Sequence, residues 1–273
     1  MPESSPLLIA VAPNGARKTK ADHPALPLTS DELAATARSC LDAGAAMIHL
    51  HVRDPAQRHS LAPDHYRPAI TAIRRSVGTQ MIIQVTSEAA GIYDRHQQMH
   101  AMLQLMPDAV SIALRELVPD AGAFEDARQF FMRLHGNGSR IQFILYDHAE
   151  VTRYRQLCEE GVIPGTGHLL LFVLGRYSTQ LAVPADLAPF VTLNAARNPW
   201  MCCAFGHLEQ EIMREAIRLG GHVRVGFENN LQRPDSTVAS SNAELVGGIA
   251  HLATTSGRQV ATATEAMLVY PQS

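Results

Sequence analysis

The chain lacks the features that would direct it to a membrane, a nucleic acid or a secretory route. Its 273 residues contain no apolar run long enough to span a bilayer, no low-complexity tract and no basic cluster. The net charge is only −3, so the electrostatic attraction that anionic polymers and lipids need is missing. Residues 1–6 lack the basic start and the apolar stretch of a signal peptide. These absences predict a cytoplasmic protein that binds neither nucleic acid nor membrane.

Cysteine is also scarce, and its spacing excludes one kind of zinc site. The four cysteines are Cys40, Cys158, Cys202 and Cys203, and none forms a Cys-x-x-Cys pair. A structural zinc knuckle is therefore not expected. Cys202 and Cys203 stand side by side in an apolar run, and we interpret them as small core residues.

Eight short apolar segments alternate with longer segments of helical periodicity. The apolar segments are 7–12, 46–52, 80–85, 109–113, 141–146, 168–173, 200–204 and 222–226. Helices are predicted over 29–44, 64–76, 121–134 and 207–219 and from Ser241 onward, the first and last beginning at capping-box spacings. The alternation predicts a parallel sheet, and eight units predict one (β/α)8 TIM-barrel domain over residues 1–273. A doubly wound open sheet is the alternative, but residues 14–17 do not form its glycine-rich phosphate loop.

The most informative residues are two histidines at the end of the second apolar segment. His49 and His51 alternate with apolar residues, so a strand places both imidazoles on one face. Two imidazoles side by side suit one half of a metal site, although such a pair can also be purely structural.

Polar residues follow nearly every predicted strand, at the barrel end where active sites form. They are Asn14, His49, His51, Thr86, Ser87, Ser111, Asp147, His148, Gly175, Gly206, Glu228 and Asn229. In a closed barrel the eighth strand lies near the second, so Glu228 is expected to meet the two histidines. Two histidines and a carboxylate are a common set of ligands for a catalytic divalent metal. A buried Arg224 would need an ionic partner, so Glu228 is equally explained as that partner.

Several motifs together resemble those of the beta-keto acid cleavage enzymes. They are Ala-Pro-Asn-Gly-Ala-Arg at 12–17, His-Pro-Ala-Leu-Pro-Leu-Thr at 23–29, His-Leu-His-Val-Arg-Asp at 49–54, Gly-Gly-His-Val-Arg-Val-Gly-Phe-Glu at 220–228, Ser-Asn-Ala at 241–243 and Ala-Thr-Ala-Thr-Glu-Ala at 261–266. The similarity runs nearly from end to end. It implies a zinc ion held by His49, His51 and Glu228, and a Claisen-type acyl transfer. In that reaction a beta-keto acid and acetyl-CoA give acetoacetate and a new CoA thioester.

The resemblance also implies a homo-oligomer, with a tetramer as the expected form, and the position and chemistry of further residues predict their roles. The expected catalytic residues are Arg224, Ser87 and Thr86, and the expected substrate-binding residues are Asn14, Ser111, Arg115 and Asn229. The hydroxyl groups would hold the substrate carboxylate or a developing alkoxide. Arg224 would orient the site or balance its charge.

Two departures from the family pattern leave the reaction open. Asn229 replaces an aspartate that many members carry after the metal glutamate, and an amide is a poor proton acceptor. The base must then come from the activated substrate, a zinc-bound species or Asp147. Residues 114–117 replace a glycine-rich loop and bring the charged pair Arg115 and Glu116 near the mouth of the pocket. We expect Arg115 to select an acidic or polar substrate tail.

Two other classes of protein remain as alternatives. One is a metal-dependent hydrolase or aldolase on the same barrel. An amidohydrolase-type site is disfavoured, because it has its histidine pair on the first strand and a ligand on the sixth, which here ends in Leu174-Gly175. The other alternative is a diverged, non-catalytic protein that binds zinc and a small acid.

Overall fold

The computed structural model describes residues 5–175, 181–194 and 198–272. Within these ranges, eight parallel strands close into a barrel, and each strand pairs with the next along the chain. The strands are β1 (Ile9–Val11), β2 (Met47–Leu50), β3 (Ile82–Thr86), β4 (Ala109–Ala113), β5 (Arg140–Leu145), β6 (Leu169–Leu174), β7 (Trp200–Ala204) and β8 (His222–Val225). β8 pairs with β1 and closes the sheet. The predicted TIM barrel is thus confirmed, whereas the extent of the domain over 1–273 stays a prediction.

Helices follow the strands and cover the outside of the barrel. They are α1 (Ser30–Asp42), α2 (Pro63–Val77), α3 (Arg95–Leu105), α4 (Leu114–Leu117), α5 (Phe124–Gly136), α6 (His148–Glu159), α7 (Ala188–Leu193), α8 (Glu209–Arg218), α9 (Asn242–Thr255) and α10 (Ala263–Val269). The predicted capping box forms at α1, where Thr29 and Glu32 satisfy each other's backbone N–H groups. No helix in the described part of the chain is long and apolar enough to cross a bilayer. The N-terminal prediction concerned residues 1–6, of which 1–4 lie outside the described ranges.

The alternation of side chains along the strands separates two apolar cores. On β2, Ile48 and Leu50 pack against the helices, while Met47 belongs to the cluster inside the barrel. Cys202 and Cys203 divide in the same way, and both are fully buried, as the core interpretation requires. Because the lower barrel is filled by apolar side chains, the space for a ligand lies at the carboxyl ends of the strands.

The second strand is shorter than the sequence pattern predicts. It ends at Leu50, and Val52–Arg53 pairs instead with His59–Ser60 in a small antiparallel hairpin. The turn forms because the Asp54 carboxylate accepts the backbone N–H groups of Ala56 and Arg58, both at 2.9 Å. The guanidinium of Arg53 donates to the carbonyl of Gly15. The hairpin thereby fixes the loop after β1 above the barrel.

Candidate active site

The three predicted metal ligands lie together at the upper end of the barrel. The His49 and His51 Nε2 atoms are 3.1 Å apart. Glu228 Oε2 lies 3.4 Å from His51 Nε2 and 3.7 Å from His49 Nε2. All three side chains are buried, with at most 6% of any residue exposed. Barrel closure pairs β8 with β1, which also pairs with β2, so Glu228 beyond β8 meets the histidines at the end of β2 across β1.

The spacing of these atoms fits a small divalent cation. Zinc ligands about 2.0–2.1 Å from the metal at tetrahedral angles lie about 3.4 Å from one another. The observed separations of 3.1, 3.4 and 3.7 Å bracket that value. Two imidazoles and a carboxylate also provide the ligand chemistry that zinc prefers in open sites. The residues present therefore fit the metal that the family resemblance implies.

A neighbouring amide determines which nitrogen of His49 is available. His49 Nδ1 lies 2.9 Å from Gln84 Oε1, and an amide oxygen only accepts hydrogen bonds. Nδ1 therefore carries the proton, and the lone pair of Nε2 points toward the other two ligands. Burial, reinforced by the charge of Arg224, lowers the pKa of His49 to about 3, which keeps the ring neutral.

The carboxylate of Glu228 is shared between two functions. Its Oε1 accepts a hydrogen bond of 2.9 Å from Arg224 Nη2, while Oε2 faces the histidines. Burial alone would raise the pKa of Glu228, but the charge of Arg224 and the interactions with His49 and His51 hold it well below its usual range. The ion pair and the metal-ligand roles that the sequence left as alternatives are thus compatible.

Gly15 allows the loop after β1 to cover Glu228. A Cβ atom at position 15 would lie 2.7 Å from Glu228 Cγ, and the backbone φ is +61°. Next to it, the Asn14 side-chain amide donates to the carbonyls of Pro27 at 2.9 Å and His51 at 3.1 Å. Asn14 therefore holds the backbone of His51 in place.

A cavity of about 360 Å³ opens above the metal-ligand group. Of the residues that the sequence predicted for the site, six line it: His49, Thr86, Arg115, Gly175, Arg224 and Glu228. Tyr146, Ile144, Val173 and Phe205 contribute apolar surface. One side of the cavity is therefore polar and faces the metal ligands, and the other can hold an acyl chain.

The remaining predicted residues do not line this cavity. Ser87 Oγ donates to the carbonyl of Ser111 at 3.1 Å, and Ser111 Oγ lies 3.4 Å from His49 Nδ1. Both serines are fully buried. The side chain of Asn229 is also buried, and neither of its polar atoms has a hydrogen-bond partner among the residues that the structure describes. The two serines therefore contact strand ends rather than the cavity, whereas the side chain of Asn229 makes no hydrogen bond within the described residues.

Arg115 lines the cavity, but carboxylates already hold most of its guanidinium. Its Nε lies 2.6 Å from Glu150 Oε1, and its Nη2 lies 2.8 Å from Asp147 Oδ2. The guanidinium also stacks on the Tyr146 ring, 4.5 Å from the centroid. Asp147, one of the candidate bases, is therefore engaged as an ion-pair partner and as the N-cap of α6.

Three further charged residues line the cavity wall: Arg17 and Glu88, which were not predicted for the site, and Glu116, which was expected near the pocket mouth beside Arg115. Glu88 Oε2 lies 3.8 Å from His51 Nε2, and burial raises the pKa of this carboxyl despite the opposing effect of His51. Burial also raises the pKa of Glu116 to about 7, although its carboxylate accepts the Ala89 N–H at 3.0 Å. The sequence positions of the two glutamates point to the site, because Glu88 lies two residues beyond the end of β3 and Glu116 lies three residues beyond the end of β4.

A TIM barrel with two histidines and a glutamate at its strand ends is typical of metal-dependent enzymes. The family model described as beta-keto acid cleavage enzyme matches residues 6–270, so the chain belongs to that family.

Named relatives match over nearly their full length. A 3-keto-5-aminohexanoate cleavage enzyme of Acetoanaerobium sticklandii is 29% identical over 272 residues, covering 95% of this chain and 96% of the relative. A 3-oxoadipate:acetyl-CoA acetyltransferase of Cupriavidus necator is also 29% identical, covering 96% and 94%. Among solved structures, a ternary complex of ObcA with a C4-CoA adduct and oxalate superposes with a TM-score of 0.74. It is 19% identical, covers 90% of this chain and 67% of the other, and supports the fold alone.

Proposed function

We propose that this protein is a metal-dependent beta-keto acid cleavage enzyme that uses acetyl-CoA. The acyl part of the keto acid passes to CoA, while the acetyl group joins the two remaining carbons as acetoacetate. The observation that carries the proposal is the group of His49, His51 and Glu228 at the floor of a mixed polar and apolar cavity. The proposal agrees with the acetyl-CoA-dependent activity in the name of the Cupriavidus necator relative.

We propose Zn²⁺ as the metal at these three ligands. When bound, it would act as a Lewis acid that polarises the keto oxygen of the substrate. Arg224 holds Glu228 so that one carboxylate oxygen faces the histidines. Thr86 lines the cavity next to His49 and is our candidate for contact with the substrate carboxylate. Ser87, Ser111 and Asn14 would act from behind the cavity wall by fixing strand ends and loops. For Asn229, next to Glu228 in sequence, substrate binding stays a proposal.

The reaction begins with removal of a proton from the methylene carbon between the keto and carboxylate groups. We propose Glu88 as the acceptor, because its carboxylate lines the cavity beside His51, whereas Asn229 cannot take a proton usefully. The electron pair of that C–H bond forms a C–C bond to the acetyl carbonyl, and the CoA thiolate leaves. The thiolate then attacks the original keto carbon, and the bond between that carbon and the former methylene carbon breaks. The proton returns from Glu88 to the acetoacetate carbon.

Arg115 is our candidate for the far end of the substrate. Neither Asp147 nor Glu150 binds its Nη1, and the guanidinium lies on the cavity wall. That nitrogen is suited to bind an acidic or polar group on the acyl tail. We also propose, from the family resemblance, a cytoplasmic homo-oligomer, with a tetramer as the expected form to be measured by light scattering.

The experiment is a screen of beta-keto acids with acetyl-CoA, read out as new CoA thioesters, together with metal analysis of the purified protein. We expect thioester formation and about one zinc per chain, with both lost in His49→Ala. His251→Ala, at an exposed position on α9, is the control and should change neither. Hydrolysis without a CoA product would indicate the hydrolase alternative, and bound zinc without turnover would indicate the non-catalytic one.

A further inference from the structure

The residue after the last helix reaches into the barrel below the candidate metal centre. Tyr270 follows α10, is fully buried and belongs to the apolar cluster inside the barrel. Its hydroxyl lies 2.8 Å from the Arg140 carbonyl and 3.0 Å from the Val110 carbonyl, so one of these takes its proton. Its backbone carbonyl accepts a 2.8 Å bond from Arg140 Nε. Hydrogen bonds thus hold Tyr270 both at its hydroxyl group and at its backbone carbonyl.

The hydroxyl oxygen keeps a lone pair for one further donor, the amide of Gln84. Gln84 Nε2 lies 3.1 Å from the Tyr270 hydroxyl and 3.2 Å from Gln142 Oε1. Both N–H bonds of that amide are therefore directed away from the metal centre. The amide oxygen must then face the opposite way, where it lies 2.9 Å from His49 Nδ1.

The opposite orientation of this amide would disable the ligand. An N–H group facing His49 Nδ1 would need a lone pair there, so the ring proton would move to Nε2. A protonated Nε2 has no lone pair for a metal. Correct ligation by His49 therefore depends on which way Gln84 points.

We infer that Tyr270 is a positioning residue for the metal centre, acting through Gln84 to set the tautomer of His49; the inference rests on the proposed metal site. The C-terminal segment thereby contributes to a site formed by the opposite end of the barrel. Tyr270 touches no ligand itself, and its effect passes through two hydrogen bonds.

The test is Tyr270→Phe, which removes one oxygen and keeps the ring that fills the core. The first measurement is the ¹⁵N NMR spectrum of the histidine rings in metal-free protein, which distinguishes the two tautomers. We expect His49 to be protonated at Nδ1 in the parent and to be a mixture of tautomers in the variant. We also expect zinc affinity, from chelator competition, to fall roughly three- to tenfold, less than the loss of about 10–100-fold typical of a direct outer partner.

Tyr154→Phe is the matched control, because it also removes a buried hydroxyl bonded to a side chain, here His168 Nδ1 at 2.7 Å, outside the site. It should alter neither the His49 spectrum nor zinc affinity.

A second variant tests the direction of the effect. Gln84→Glu in the Tyr270→Phe background places an acceptor-only carboxylate next to His49 Nδ1 and should restore a single tautomer. Gln142 Nε2, which has no hydrogen-bond partner among the described residues, is available to donate to the new carboxylate.

An unchanged His49 spectrum in Tyr270→Phe would overturn the inference, as would a mixture that persists in the double variant. The spectrum is recorded without metal or substrate, so it answers the question even if the parent shows no zinc binding or acyl transfer.

Discussion

The ion pair between Arg224 and Glu228 gives the most direct prediction about the energetics of the site. Both side chains are almost completely buried, and Nη2 lies 2.9 Å from Oε1. Replacing Arg224 by Met removes the charge but keeps an unbranched chain in the same space. Glu228 is then left inside the barrel with the two histidines and without its cationic neighbour.

The size of the effect follows from the distance. Two unit charges 2.9 Å apart interact by about 6 kcal/mol at an effective dielectric constant near 20. Part of this is offset by the cost of desolvating the two groups, and removing one partner of a buried pair typically costs about 3–5 kcal/mol. We therefore expect Arg224→Met to lower the free energy of unfolding by that amount.

The assay is urea unfolding of the metal-free parent, Arg224→Met, Glu228→Gln and the double variant. Metal is removed because ligand binding would itself stabilise the native state. We expect the double variant to lose at least 2 kcal/mol less than the sum of the single losses, within the range known for contacting residues (roughly 0.5–3 kcal/mol). The same cycle on the surface pair of exposed Arg218 and half-buried Glu215 should give a coupling below about 1 kcal/mol. If the loss in the double variant at the buried pair equals the sum of the two single losses within about 0.5 kcal/mol, the ion pair does not contribute the expected coupling.

Three further predictions concern the cavity and its surroundings. Glu88→Gln should lower kcat by roughly 100-fold or more while bound metal stays constant, and an unchanged kcat would remove Glu88 as the proton acceptor. Arg115→Ala should change the relative kcat/KM values across a panel of beta-keto acids, and an unchanged order would contradict its role at the acyl tail. Burial raises the pKa of Glu209 to about 8 from 4.5, so the protein should lose up to about 1.4 kcal/mol of stability per pH unit as pH rises through this range. Glu209→Gln should remove that loss, and equal pH slopes in urea titrations of parent and variant would contradict it.

The grouping of the candidate metal ligands could be predicted because its signals are local or follow from closure of the barrel. The strand period of two places His49 and His51 on one face whatever the rest of the chain does. Glu228 required one additional assumption, that β8 closes on β1, and the structure confirms that pairing.

Contacts between separate loops could not be predicted in the same way. The guanidinium of Arg115 is held by Asp147 and Glu150 because α4 and the start of α6 lie side by side. Sequence spacing gives no information about that approach. The expectation that Arg115 selects a substrate tail therefore did not include these two carboxylates.

The sequence also does not show which side chains after a strand end face the cavity and which point away from it. Asn14 follows β1 as a site residue would, yet its amide binds the Pro27 and His51 carbonyls. Glu88, two residues beyond the end of β3, lines the cavity instead. A strand end shows where a loop starts, but the turn geometry decides which of its side chains face inward.

Isotope transfer distinguishes acyl exchange at this cavity from hydrolysis of acetyl-CoA. The protein is incubated with a beta-keto acid and acetyl-CoA carrying ¹³C in both acetyl carbons, and the products are followed by NMR. We expect label in C3 and C4 of acetoacetate and an unlabelled new CoA thioester derived from the keto acid. Label confined to acetyl-CoA and free acetate, with zinc bound at His49, His51 and Glu228, would contradict acyl exchange.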